Sequence, residues 1–214
     1  MTQVRILAGL FNLKMVEVKI LVEGKHEFKD DKLEIGSTVS LIKTDKNIIV
    51  DTGSFLDKDK IISGLKEENL TCDDIDIVIL THLHLDHLVN TYLFKNAKIF
   101  CKFTGGGYSG QFHTPSEGCL QGAEIFDNAK IAEDVEFLLT PGHTVDMISV
   151  LVKTDKGNIV VCGDAMPSKN FIDMEKKPIV NLIYNLELFD ESRKKILDVA
   201  DYIIPGHGGL IKIK

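Results

Sequence analysis

Arginine is almost missing from this chain: Arg5 and Arg193 are the only two in 214 residues. Guanidinium forks for phosphate are therefore scarce, and a formal net charge of −7 argues against an extended basic face for nucleic acid. A lysine-lined channel is the form of RNA contact left open. Cysteine is sparse too. Cys72, Cys101, Cys119 and Cys162 show no C-x-x-C spacing, so they read as small buried apolar residues of a reduced, cytoplasmic protein. The start, "MTQVRILAGLF", lacks the pattern of a signal peptide, and no apolar run approaches the ~18 residues of a membrane span. Internal repeats, low-complexity segments and linkers are absent as well, which leaves a single domain over residues 1–214.

What is present is the composition of an ordinary globular protein, 44% hydrophobic and 27% charged. "MVEVKILVEG" alternates Val16, Val18, Ile20 and Val22 on one face of a half-buried strand. "STVSLIKT" and "NIIVDTG" form a hairpin about Asp45-Lys46. Beyond Phe55, Ile61, Ile62 and Leu65 fall at helical spacing. "DIDIVILTH" is a continuous apolar strand, "LVNTYLF" a short helix and "AKIFCK" a strand; Thr104 to Gly122 is a loop or lid, with Gly105 to Gly107 a flexible turn. Strands follow at "VEFLLT", "MISVLVKT", "GNIVVCGD" and "DYIIPGHGG", with an amphipathic helix, "FDESRKKILDVA", opened by a capping aspartate.

The chemistry gathers where strands stop. Asp51, the cluster His82, His84, Asp86 and His87, then His143, Asp164 and His207 each follow an apolar run. "HLHLDH" spends three of seven histidines in six positions. A packed core does not favour that, because every imidazole brings nitrogens that need partners. Extended chain points His82 and His84 the same way, toward one ion. Asp86 and His87, at the start of a helix, face a second. His143 completes the first set and His207 the second, with Asp164 able to give an oxygen to each and room left for a bridging water. His26 and His113 stand alone and read as hydrogen-bonded loop histidines.

The motif set "VDTG", "HLHLDH", "TPGHT", "GDA" and "PGHG" resembles the metallo-β-lactamase fold superfamily, from Ser37 to the C-terminus. The resemblance implies an α/β fold (α+β by some schemes), an αββα sandwich with its metal site at the edge between two sheets. It carries over His82, His84 and His143 to one metal, Asp86, His87 and His207 to the other, and Asp164 as the bridge. It implies that Asp51 supports the ligand imidazoles. Members that cleave lactams with a thiolate ligand have Cys where this chain has Asp164, and the related lactonases have a catalytic Tyr where this chain has Pro167. Flavodiiron members have Glu in place of His84. "ESRKKILDVADYIIPGHG" is similar to a compact branch associated with nuclease activity.

A binuclear metal-dependent hydrolase follows, using a metal-bridging hydroxide positioned by Asp86 and Asp164 on an ester, thioester or lactone. Nitrogen and oxygen ligands without thiolate suit zinc, iron or manganese alike, with zinc taken as the first choice. Small-molecule substrates are expected, and homodimers are common among compact members. The alternatives are a phosphodiesterase or ribonuclease, with Lys102 and Lys169 at the cleft, and an iron-dependent oxidoreductase. Tyr108 and Lys169 are the candidates for a general acid.

Overall fold

The computed structural model describes residues 16–102, 104–107, 111–112, 127–179 and 182–214. One sheet has the order β1 (Glu17–Val22), β4 (Val39–Lys43), β5 (Asn47–Val50), β6 (Ile77–Ile79), β7 (Lys98–Cys101), β8 (Thr104–Gly107) and β9 (Gln111–Phe112). The other runs β10 (Lys130–Ala132), β11 (Val135–Leu139), β12 (Ile148–Thr154), β13 (Gly157–Gly163), β14 (Tyr202–Pro205) and β15 (Ile211–Lys212). A separate hairpin pairs β2 (Lys25–Lys29) with β3 (Lys32–Gly36). The helices are α1 (Lys58–Glu67), the single turn α2 (Leu85–Leu88) and α3 (Leu186–Val199).

Side-chain alternation explains the layering. In β5, Ile48 and Val50 face the second sheet and meet Phe137, Ile148 and Val150, whereas Ile49 points the other way onto Ile61 and Leu65 of α1. The second sheet repeats this on its outer side, where Leu151, Val160, Cys162 and Ile203 pack on Ile196 of α3. Both central regions are apolar on two faces, so "NIIV" and "IVIL" read as unbroken runs. The result is the expected αββα sandwich, and Cys162 is core packing as expected. Among the described residues no helix is long and apolar enough to cross a membrane.

Four details differ from the sequence reading. Val22 does not share a face with Val18 and Ile20, because a register shift between Ile20 and Val22 turns it onto the α1 side. The β4–β5 tip takes three residues, closed by a Thr44 N–H to Lys46 O bond of 2.9 Å. Asp190 does not cap the last helix; α3 begins earlier, at Asn185, whose side chain accepts from the Leu188 N–H. Gly105 to Gly107 are strand, not a turn, Gly105 and Gly106 pairing with β7 and Gly107 with β9; Tyr108, His113 and most of the expected lid lie outside the described residues. The β2–β3 hairpin was not anticipated. Its signal is the pair Asp30-Asp31, both at positive φ (49° and 59°), as a two-residue turn requires.

Candidate metal centre

The parallel pairs β5–β6 and β13–β14 run in the sense that puts Asp51, Thr81, Asp164 and His207 at one end of the sandwich. Backbone bonds tie the two sheets together there: Ile148 N–H donates to Thr81 O at 2.9 Å and Thr38 N–H to Gly206 O at 2.7 Å. Gly206 is a site where no side chain fits. A Cβ would stand 2.0 Å from Asp164 Oδ1.

Two groups of donor atoms result, each within 4.8 Å: His82, His84, His143 and Asp164, and beside them Asp86, His87 and His207. His143 Nε2 is 3.1 Å from His84 Nδ1 and 3.3 Å from Asp164 Oδ2. Asp164 Oδ1 lies 3.2 Å from His207 Nε2 and 3.5 Å from His87 Nε2. All seven residues singled out by spacing are thus brought together, with Asp164 between the groups. The helix starts where expected, with His84 as the N-cap of α2.

Hydrogen bonds on the far side of the rings set which nitrogen faces inward. His87 Nδ1 is 2.8 Å from Asp51 Oδ2, and His207 Nδ1 is 3.0 Å from Gly36 O. A carboxylate and a carbonyl only accept, so both rings carry their proton on Nδ1. Thr81 donates its hydroxyl to Asp51 Oδ2 at 2.9 Å, and His82 Nδ1 is 3.1 Å from the same hydroxyl oxygen. With its hydrogen already committed, Thr81 Oγ1 accepts from His82. All three rings therefore turn Nε2 toward one space. Asp51 organises two of them, and also accepts the Thr81 N–H at 2.8 Å. It does so from a left-handed backbone conformation, φ 58°, which Asp adopts more readily than most residues.

Four buried atoms facing this space, His82 Nε2, Asp86 Oδ2, His87 Nε2 and Asp164 Oδ1, have no hydrogen-bond partner. Burial drives His82 well below the ordinary histidine value, helped by His87, and also lowers His143. Burial opposes the charged forms of His87 and His207 as well. Even so, Asp51 and Asp164 hold His87 well above its ordinary value, and Asp164 raises His207. Burial likewise disfavours the Asp164 carboxylate, but His87 and His207 keep it well below the usual range. Without an ion the carboxylates draw protons onto His87 and His207, whereas His82 and His143 keep a lone pair to give. Divalent cations fit both demands.

The metallo-β-lactamase superfamily profile matches residues 34–207. The chain belongs to that superfamily. It is 40% identical over 164 residues to a probable metallo-hydrolase of Methanocaldococcus jannaschii, covering 77% of this chain and 72% of that one. It is 32% identical over 197 residues to metallo-beta-lactamase domain-containing protein 1 of Xenopus laevis, covering 89% and 79%. Its fold matches that of an N-acyl homoserine lactone hydrolase solved with the product N-hexanoyl-L-homoserine at the catalytic metal center. That likeness has a TM-score of 0.63 at 19% identity and covers 91% and 93% of the two chains. The protein is a metal-dependent hydrolase of the metallo-β-lactamase superfamily, whose members generally bind divalent ions, typically zinc.

In this metallo-β-lactamase-fold protein the donor cluster forms the floor of a cleft of about 530 Å³. One wall is apolar, built by Phe171, Pro178, Ile179, Leu182, Ile183 and Tyr184. Among the described residues no lysine or arginine lines it. Lys169 is exposed on a neighbouring turn, and Lys102 lies in the field of Asp127 and Lys195 instead. His26, read from sequence as an ordinary loop histidine, lines the cleft from the β2–β3 hairpin with its ring centroid 5.7 Å from that of His207. Its neighbours in sequence are polar and carry no motif. Only the hairpin's fold-back over the site reveals it. Tyr184 was missed as well, because its place on the cleft depends on its N–H bond to His143 O, between segments remote in the chain.

Proposed function

We propose that His82, His84 and His143 hold one divalent ion, that Asp86, His87 and His207 hold a second, and that Asp164 spans both, in a hydrolase of uncharged esters, thioesters or lactones. The observation that carries this reading is the cleft's lining: a floor of donors beside an apolar wall, with no lysine or arginine among the described lining residues to receive a phosphate. Ions bound there would supply Lewis acidity and water made acidic enough to attack at neutral pH. The chain's own residues do the rest. Asp51 and the Gly36 carbonyl keep imidazole protons on the outer nitrogens, so the inner lone pairs stay available. Asp86 Oδ2 and Asp164 Oδ1, both buried acceptors, orient the attacking water by taking its hydrogens. The apolar wall excludes competing water and seats the non-reacting part of the substrate. Zinc is the first choice of metal, since members of the superfamily typically bind it, and the nitrogen and oxygen donors suit iron or manganese as well.

The test is turnover of an aryl ester, a thioester, a lactone, a bis-aryl phosphodiester and a short RNA by protein loaded with zinc, manganese or iron. Acyl substrates should be cleaved and phosphodiesters spared. Asp164→Asn should lower the rate by about a hundredfold or more. Phosphodiester cleavage with acyl substrates untouched would reverse the assignment. Oxygen-dependent turnover by the iron form alone would replace hydrolysis with redox chemistry.

A further inference from the structure

The apolar wall has little regular structure of its own. Between the 3₁₀ turn Lys169–Ile172 and α3 the described residues form no strand and no α-helix, and much of the backbone there is held by a partner outside the segment. That partner is Arg193 of α3. It is fully buried, and four of its five side-chain hydrogen bonds go to the backbone of this one segment. Nε and Nη2 donate to Phe171 O at 2.9 and 2.7 Å, and Nη2 also to Asp173 O at 2.6 Å. Nη1 donates to Lys176 O at 3.1 Å and to Asp190 Oδ1 at 2.9 Å. The guanidinium carbon lies 5.6 and 5.5 Å from the ring centroids of Phe171 and Phe189. Only a planar fork spans three carbonyls and two rings at once; lysine's single ammonium does not.

The other end of the wall is tied to the metal floor. Tyr184 N–H donates to His143 O at 3.1 Å, and Asn185 N–H to Gly142 O at 3.0 Å. Gly142 sits at φ 140° with a Cβ position 2.3 Å from Phe189 backbone, so this approach admits glycine alone. The described stretches at its two ends, 171–176 and 184–185, are thus tied to α3 and to the metal floor. Yet Ile179, Leu182 and Tyr184 stay 70%, 62% and 63% exposed. An apolar surface anchored at both ends beside a reactive floor is what a bound apolar group would cover.

We propose that this Arg193-locked wall is the specificity-determining subsite of the cleft and takes a long apolar acyl chain of an uncharged substrate, Arg193 being its positioning residue. The inference rests on the acyl-hydrolase reading for the scissile bond, whereas the wall is tested by binding alone. Among the described lining residues there is no lysine or arginine, which disfavours an anionic group on the chain.

The experiment titrates acetate, hexanoate and decanoate into the zinc-loaded protein by calorimetry, beside kinetics on short- and long-chain aryl esters. Half-burying each methylene gives about twofold tighter binding per carbon, so decanoate should bind about tenfold or more tighter than hexanoate. Leu182→Ser should cost decanoate about fivefold and leave acetate unchanged. Arg193→Lys should raise KM for the long ester and leave kcat for the short ester and the metal content unaltered. Equal affinity from acetate to decanoate in the wild type overturns the proposal. Should Arg193→Lys fail to fold, the exposed position of Leu182 still decides the question. Chain-length dependence without ester turnover would leave the wall standing and remove the acyl-hydrolase reading; turnover with a flat length profile would do the reverse.

Discussion

Asp51→Asn is the most informative single substitution, because it changes charge and proton positions with almost no change of shape. Asn tolerates the left-handed backbone at this position. Its carbonyl oxygen must replace Oδ1, which accepts the Thr81 N–H, so its amide nitrogen takes the place of Oδ2. That atom now accepts from both the Thr81 hydroxyl and His87 Nδ1. An amide nitrogen only donates. His87 must then accept at Nδ1 and move its proton to Nε2. The Thr81 hydroxyl, accepting from the amide, turns its hydrogen toward His82 Nδ1 and moves that ring's proton to Nε2 as well. One substitution would thereby block an inward-facing lone pair in each of the two donor groups. Stability should fall modestly, since three bonds pass from the charged to the neutral class, about 1–3 kcal/mol in total. Zinc affinity should fall further, by about 10–100-fold for each ion. Competition with a chromophoric chelator measures the affinity, urea unfolding the stability, and ¹⁵N shifts of the histidine rings the tautomers. Unchanged zinc affinity, or ring shifts that leave Nε2 bare, would refute the reasoning.

Metal removal should destabilise the fold: at an ion concentration of about 100 Kd, each ion contributes about 2.7 kcal/mol. EDTA treatment should therefore lower Tm by about 5–10 °C per ion, read by calorimetry. Asp57 is buried; burial opposes its charge, but Lys60 at 2.7 Å and the Ser54 hydroxyl and N–H at 2.6 and 2.9 Å hold its carboxyl below the usual range. A depressed folded pKa stabilises above the unfolded value and loses that stabilisation as pH falls through the folded one. Asp57→Asn should thus cost about 1–3 kcal/mol at neutral pH, and the cost should shrink below about pH 4, as urea midpoints across that range would reveal.

The donor residues were legible because their chemistry is local. Three imidazoles and a carboxylate in six positions have no comfortable structural use, and alternation along a strand already sets which of them point together. The two-sided apolar runs likewise announced central strands, and with the motif set the αββα sandwich. Harder to read were features whose cause is a distant partner. Nothing near Val22 marks the register shift that moves it to the other face; its pairing with Val39 does.

His26 looked ordinary since its company, His207, is brought to it only by the hairpin folding over the floor. Arg193 registered at first as one of just two arginines. Its buried fork against the backbone of Phe171, Asp173 and Lys176 depends on where α3 docks. By itself, then, the sequence marked the candidate donors and the central strands, because residue identity and period are enough for those, while the layers came with the motif set's resemblance to a known family. The cleft's shape, the lack of lysine and arginine among its described lining residues and the tautomer of each ring were decided by tertiary structure alone, because each depends on the distance between segments remote in the chain.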